Sequence, residues 1–312
     1  MSLDTPVAFI IFKRPDVTAA VFQRIAAARP KRLLVIADGP RRPEEAAACQ
    51  QTRAIIDKVD WPCDVATNYA DANMGLRRRI SSGLSWVFEQ VEDAIIMEDD
   101  CLCDPSFFPY CEELLARYRE EPRVMMISGN YFHGNRRLTD DSYYFSRYTH
   151  IWGWATWRRA WAHYDPMLTT WPEYRDRPDW PDDTVSDIER GYWRHTFDRA
   201  HAGEIDAWSY GWQYALWEQK AYSILPAVNL ISNVGFGEGA THTRTVTDLA
   251  NVARGQMPFP LRHPTEVRRL DAADSLTYAR VFGPKPPGFM QRVRGKLGRI
   301  YRGVAGGSGP HA

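Results

Sequence analysis

Three adjacent carboxylates, Glu98-Asp99-Asp100, follow directly on the apolar run Ala94-Ile95-Ile96-Met97. Neighbouring carboxylates repel one another, and a cation relieves that repulsion. Hard cations such as Mg²⁺ and Mn²⁺ prefer carboxylate and phosphate oxygens, and a site that supplies one or two carboxylates leaves its other positions to water and phosphate groups. Such a cation would neutralise charge that builds on a leaving diphosphate. A solvated acidic turn is the plainer account of the same three residues. Asp104, just before Pro105, is the better placed nearby acid for capping the next helix.

The elements that must hold this cluster are legible around it. Val7-Ala8-Phe9-Ile10-Ile11-Phe12 and Leu33-Leu34-Val35-Ile36-Ala37 are continuous apolar runs, as in strands buried on both faces. Further strands are predicted over 64–67, 94–97 and 124–127. Helices are predicted between them. One is capped by Asp16, carries Val17, Val21 and Ile25 on one side and is ended by Pro30. The others cover 44–59, 77–90 (stripe Ile80, Leu84, Val87, Phe88) and 105–119. This alternation predicts an α/β protein with an open, mostly parallel sheet and helices on both faces. Ligands of such sheets bind beyond the carboxyl ends of the strands. Here those ends carry Lys13-Arg14, Asp38 and Glu98-Asp99-Asp100, which are expected to converge.

The second half differs. Residues 130–222 are rich in Trp, Tyr, Arg and Asp, with helices predicted around 190–201 and 210–220. Trp152, Trp154, Trp157 and Trp161 are spaced as in a bend that runs into a helix. Packing suits Trp157 and Trp161, whereas Trp152 or Trp154, beside Gly153, offers a flat face to a sugar. The 12 Trp allow both uses, sugar stacking and core packing.

Composition narrows the function classes. The 312 residues, 44% hydrophobic, suffice for one large domain. Lys plus Arg equals Asp plus Glu at 39 each, so there is no basic excess of the kind nucleic-acid binding calls for. The five Cys (Cys49, Cys63, Cys101, Cys103, Cys111) have no framework spacing and are expected to be free thiols. Residues 1–6 do not read as a signal peptide, and no apolar run approaches the roughly 18 residues needed to span a bilayer. A cytoplasmic protein is the expectation. After Pro284-Lys285-Pro286-Pro287 the tail places Phe289, Val293, Leu297, Ile300 and Val304 on one helical face among five Arg and Lys. Two readings fit it: a basic amphipathic helix on the inner face of an acidic membrane, or a segment docked on its own domain. Gly295, Gly298 and Gly303 each weaken such a helix by about 1 kcal/mol relative to Ala.

A strand that ends in Glu-Asp-Asp within an alternating α/β half resembles the metal-binding motif of GT-A-fold nucleotide-diphospho-sugar transferases. It looks particularly like the Glu-Asp-Asp variant of N-acetylglucosaminyltransferase I and its bacterial relatives. The likeness extends to Phe12-Lys13-Arg14-Pro15, to Asp38, and to Asn73-Met74-Gly75-Leu76 with Arg79-Ile80-Ser81-Ser82-Gly83. It includes Ile151-Trp152-Gly153-Trp154-Ala155-Thr156-Trp157 and Asn229-Leu230-Ile231-Ser232-Asn233-Val234-Gly235, and so covers residues 5–245.

The resemblance implies one GT-A domain over 1–283, with a nucleotide-binding half at 1–130 and an acceptor half at 131–283, followed by the tail at 284–312. It implies a glycosyltransferase that moves a sugar from a nucleotide-diphosphate donor, a UDP-sugar by family, to a glycan, lipid-linked or protein acceptor with Mn²⁺ or Mg²⁺. Asp100 would be the direct metal ligand, with Glu98 and Asp99 beside it and Asp99 reaching the ribose or metal-bound water. Asp38 would accept the base N–H. Phe12, Arg14, Asn73 and Arg79 would lie near the nucleotide or diphosphate, where a guanidinium binds phosphate oxygens in a fork. His242 resembles a late histidine that completes such metal sites; a structural histidine is the alternative.

Inverting transfer needs a carboxylate to take the acceptor's proton. Relatives carry an acid directly after the Trp of Glu204-Ile205-Asp206-Ala207-Trp208-Ser209, where this chain has Ser209. Asp206 is the expected substitute and Glu238 the next, each against the alternative of a surface acid or helix cap. Two other function classes remain open: a sugar-nucleotide nucleotidyltransferase, for which Lys13-Arg14-Pro15 lacks the glycines of a phosphate loop, and a catalytically impaired carbohydrate-binding relative.

Overall fold

A computed structural model of the chain describes residues 2–180, 186–235 and 252–283. The first half follows the apolar runs. Strands β1 (Val7–Ile11), β2 (Arg32–Ala37), β3 (Asp64–Tyr69) and β4 (Asp93–Glu98) pair in parallel in the order β3-β2-β1-β4. Every residue of β1 is buried, as expected of a run without alternation. Helices α1 (Pro15–Ala28), α2 (Ala46–Arg53) and α3 (Leu76–Gln90) link these strands. The predicted stripe of α3 is buried, and its Gly83 lies so close to β2 that a Cβ would stand 2.6 Å from the side chain of Ile36.

Two local expectations are corrected. Asp16 is not the N-cap of α1. The helix begins at Pro15, with Arg14 in the capping position and Asp16 inside the first turn. Proline fits there because it has no N–H to satisfy and its φ is already helical. Residues 44–59 are not one helix: the 3-10 turns Pro43–Glu45 and Ile56–Lys58 flank α2.

A short ribbon follows the acidic cluster. Strand β5 (Cys101–Cys103) pairs antiparallel with β10 (Ile231–Asn233), so Asn233 stands opposite Cys101. Helix α4 (Phe107–Arg117) then leads to β6 (Val124–Ser128), and the rest of the sheet comes from the second half. Strand β8 (Trp154–Trp157) is inserted antiparallel between β4 and β6. Strand β9 (Tyr222–Pro226) runs parallel to β6, and β7 (Tyr143–Ser146) closes that edge antiparallel to β9. The eight-stranded sheet is therefore mostly parallel, with β7 and β8 reversed, and is flanked by helices. The short helices α5 (Arg158–Trp161), α6 (Trp171–Arg175) and α9 (Asp271–Thr277), the longer α7 (Asp187–His201) and α8 (Ser209–Glu218), and a π-helical turn at Tyr278–Phe282 complete the described elements.

Strands β7, β8 and β9 escaped sequence reading because they are aromatic and polar yet buried. Some of their polar atoms are paired inside, although Tyr144 Oη and Trp154 Nε1 have no partner among the described residues. Thr156 Oγ1 donates to the Met125 carbonyl at 2.6 Å, and Trp157 Nε1 to the Leu115 carbonyl at 3.1 Å. The Trp152-to-Trp161 segment is a strand and then a helix. Trp154 is fully buried and stacked on Trp208 with ring centroids 5.5 Å apart, so its face is taken by another ring and is not open to a sugar. A second aromatic cluster, with Tyr148, Trp171, Trp193, Phe197 and Trp217, joins α6, α7 and α8.

All five cysteines are unpaired. No helix among the described residues is long and apolar enough to cross a membrane. The tail at 284–312 and the pair Asp182-Asp183 lie outside the described residues.

Candidate functional site

The strand ends do converge. A cleft of about 230 Å³ lies beyond β1, β2 and β4, lined by Phe12 and Arg14, by Asp38 and Arg41, and by Glu98, Asp99 and Asp100. Leu76, Arg79 and Ile80 of α3 form one wall; Ile151, Trp152, Trp208, Ser209, Asn233 and Gly235 come from the second half. The register puts Ile10 opposite Glu98 and Ile11 opposite Ala37, so the residues just beyond each pair enter the same space.

Arg14 dominates the acidic cluster. Its Nη2 donates to Asp100 Oδ2 at 2.8 Å and also to Asp99 Oδ1. Burial works against this guanidinium's charge, but the two carboxylates outweigh it and its pKa is raised. Asp99 is 5% exposed. Burial pushes its carboxyl up to about 6, with Arg14 pulling it down and Asp100 pushing it up. Glu98 is held up to about 8, first by burial and then by the charges of Asp100 and Asp99. Asp100 Oδ1 accepts from Asn233 Nδ2 at 3.1 Å, a contact made by the β5–β10 ribbon. Gly235 closes over the pair: a Cβ there would stand 2.1 Å from Asp100 Oδ2 and 2.6 Å from Arg14 Nη1. Lys13, the neighbour of Arg14, turns away to pair with Glu45.

The donor set suits a hard cation. Asp99 Oδ2 is buried without a hydrogen-bond partner among the described residues, and Asp100 stands next to it. Two carboxylates with the remaining positions left to water and diphosphate is an arrangement Mg²⁺ and Mn²⁺ accept. Among the described residues no group of three or more His, Cys, Asp or Glu gathers as a metal site. His242 and Glu238 lie outside the described residues.

On the opposite side, Asp38 is held by a turn of its own making. Its Oδ1 accepts from the backbone N–H of Gly39 at 2.8 Å and of Met74 at 2.9 Å, and its Oδ2 from Asn73 Nδ2 at 2.8 Å. Asn73 does not line the cleft; it fixes Asp38. A carboxylate has about four acceptor positions, so one remains for a ligand N–H. The Phe12 ring lies 5.6 Å from the Arg41 guanidinium. Arg41 was missed in the sequence, although Arg41-Arg42 follows the Asp38-Gly39-Pro40 turn at a strand end.

Arg79 is 5% exposed and anchored through Nη2 to Asn68 Oδ1 at 2.7 Å. Burial lowers its pKa. Its Nε has no hydrogen-bond partner, and Arg79 forms no ion pair among the described residues. Asp206 lies beside the cleft rather than in its lining. Its oxygens accept from the backbone N–H groups of Leu76 at 3.3 Å and Arg77 at 3.1 Å, which caps the N-terminus of α3. Ser209, the residue after Trp208, does line the cleft.

Fold and site together define an open α/β sheet with a cleft of carboxylates and guanidinium groups over its strand ends. No protein-family model matches the sequence, and no curated protein matches it. Among solved structures the chain is similar to a UDP-glucose pyrophosphorylase complexed with UDP-glucose, 12% identical over 51% of this chain and 79% of that one, with a TM-score of 0.29. It is also similar to a 4-diphosphocytidyl-2C-methyl-D-erythritol synthase from Anaerococcus prevotii, 11% identical over 62% of this chain and 84% of that one, with a TM-score of 0.32.

Proposed function

We propose that the chain is a glycosyltransferase that takes a nucleotide-diphosphate sugar, a UDP-sugar first, and passes the sugar to a glycan, lipid-linked or protein acceptor. The observation that carries this is Arg79, a buried cation in the cleft wall with no ion pair among the described residues. A buried charge that no carboxylate contacts is costly; the charge of Asp38 offsets part of that cost, and an anionic ligand would offset more. Phe12 and Asp38 supply what a nucleobase needs, an aromatic face and an acceptor for a ring N–H.

In this reading Arg79 and Arg14 bind diphosphate oxygens, Asp38 and Phe12 hold the base, and Trp152 borders the sugar. Mn²⁺ or Mg²⁺ at Asp99 and Asp100, when bound, would neutralise charge on the departing diphosphate. Arg14 must then shift from the carboxylates toward the phosphates. Asp206 would serve as proton acceptor only by releasing the N–H groups of Leu76 and Arg77, so it is assigned to positioning α3. Glu238, three residues beyond Gly235, is the proposed base.

Calorimetric titration of UDP with and without Mn²⁺, followed by assay of UDP release from UDP-sugars, tests the proposal. Mn²⁺-dependent UDP binding with slow UDP release supports it. Absence of UDP binding overturns it. Formation of UTP from a UDP-sugar and pyrophosphate would reassign the chain to nucleotidyl transfer.

A further inference from the structure

A second cavity of about 180 Å³ adjoins the first, and Ile151, Trp152 and Ser209 line both. Beyond that shared wall the chemistry changes. Among the described residues the first cleft is lined by four carboxylates and three guanidinium groups, and the second has no Asp, Glu, Lys or Arg in its lining. Its walls are the rings of Phe132, Trp193, Tyr210 and Phe282, with Asn130 and His150 as polar groups between them.

Asn130 is fully buried. Its Oδ1 accepts from the backbone N–H of Trp152 at 3.2 Å, which fixes the amide, because the reverse orientation would set two donors against each other. That leaves Nδ2 buried without an acceptor among the described residues. A buried donor without a partner calls for a ligand or a water. None of the described neighbouring polar groups accepts from it. Gln213 Oε1 accepts from the Thr149 N–H at 2.9 Å, and its Nε2 donates to the Arg147 carbonyl at 2.7 Å. The His150 ring packs edge-on against Phe132, with centroids 4.7 Å apart. Burial, and then His133, lowers the His150 pKa to about 3, so the ring is neutral and offers one donor and one acceptor.

The occupant is therefore expected to be uncharged, since an ion here would have no counter-charge among the described lining residues. It must accept from the Asn130 amide N–H, which has almost no accessible surface, so the wall has to open slightly as the occupant enters, and it must exchange a hydrogen bond with an imidazole. It must also present C–H faces to aromatic rings. A pyranose ring meets all three conditions. We infer that the cavity of Asn130, His150 and Tyr210 is the acceptor subsite and takes an uncharged glycosyl residue, which places one of its hydroxyls toward the donor cleft past Trp152. The inference rests on the glycosyl-transfer reading for its direction, while the cavity's binding chemistry stands apart from it.

The test is saturation-transfer NMR and fluorescence titration of the full chain. The probes are the methyl glycosides of glucose, galactose, mannose and N-acetylglucosamine, with methyl glucuronide and glucose 1-phosphate as charged counterparts. Each titration is run with and without saturating UDP and Mn²⁺. At least one neutral glycoside should bind, UDP should not compete with it, and the charged compounds should bind at least tenfold more weakly. Asn130→Asp, which keeps the acceptor for Trp152, and Tyr210→Ala, which opens one wall, should each weaken glycoside binding at least fivefold while leaving UDP affinity unchanged. The inference is overturned if no neutral glycoside binds, if charged compounds bind as tightly, or if the folded variants retain full affinity. Glycoside binding without UDP binding would uphold the cavity and overturn the donor reading; UDP binding without glycoside binding would do the reverse.

Discussion

The Arg14 guanidinium stands between Asp99 and Asp100, with Nη2 2.8 Å from Asp100 Oδ2 and also bonded to Asp99 Oδ1. The carboxylates that suit a metal are thus bridged by the protein's own cation, held in place by Gly235. The side chains of Arg14 and Asp99 are 19% and 7% exposed. Removing one partner of a buried pair costs about 3–5 kcal/mol, and partial exposure of Arg14 reduces that to roughly 2–4 kcal/mol. Arg14→Ala should therefore lower the thermal midpoint, and Mn²⁺ should restore part of the loss. The gain on adding Mn²⁺ should be larger than in the wild type. Equal metal responses in differential scanning calorimetry would dismiss the bridging role.

Asp100→Ala separates nucleotide binding from folding. Arg14 keeps Asp99 as a partner, and the buried Asn233 loses one acceptor for its Nδ2. The fold should persist by circular dichroism. Mn²⁺-dependent UDP affinity should fall by roughly tenfold or more, about 1.4 kcal/mol. Unchanged calorimetric affinity for UDP with Mn²⁺ would remove Asp100 from the metal site.

Asp206 accepts from two of the N–H groups that begin α3, the helix that carries Arg79. Loss of such a cap costs about 1 kcal/mol, or roughly 2–4 °C in a chain of this size. Asp206→Ala should show that shift. Asp206→Asn, which can still accept, should restore most of it and should keep near-wild-type turnover. A folded Asp206→Asn with turnover reduced a hundredfold would instead make Asp206 the base.

The sheet's first half was legible because burial on both faces forces long apolar runs, as in β1 and β2. So was the meeting of Arg14, Asp38 and Asp100, since parallel strands bring their carboxyl ends to one edge. The second half was not. Strand β8 reads Trp-Ala-Thr-Trp, and its place between β4 and β6 depends on internal hydrogen bonds from Thr156 and Trp157 that no periodicity shows. The same holds for the site. Asp206 looks like any acid until α3 is placed beside it. Asn130 carries no motif, and only packing reveals that Nδ2 has no partner among the described residues.

Glu189 on α7 offers a pH test far from the cleft's carboxylates. It is 7% exposed and accepts from the Tyr148 hydroxyl. Burial raises its carboxyl from 4.5 to about 7; Arg147 and Arg269 pull it down, and Asp274 pushes it up. The folded state therefore holds this proton more tightly than the unfolded chain. The resulting stability is complete below pH 4.5 and is lost as the pH rises through about 7. A carboxyl raised this far loses about 2–3 kcal/mol of stability across that range. Asp274, raised to about 6 by burial, loses stability in the same direction at lower pH, so the comparison must be between Glu189→Gln and the wild type. Glutamine copies the protonated acid and still accepts from Tyr148. Denaturant midpoints should nearly coincide at pH 5, and the variant should be the more stable protein at pH 8. A constant difference between the two proteins across that range would show that Glu189 does not titrate near neutrality.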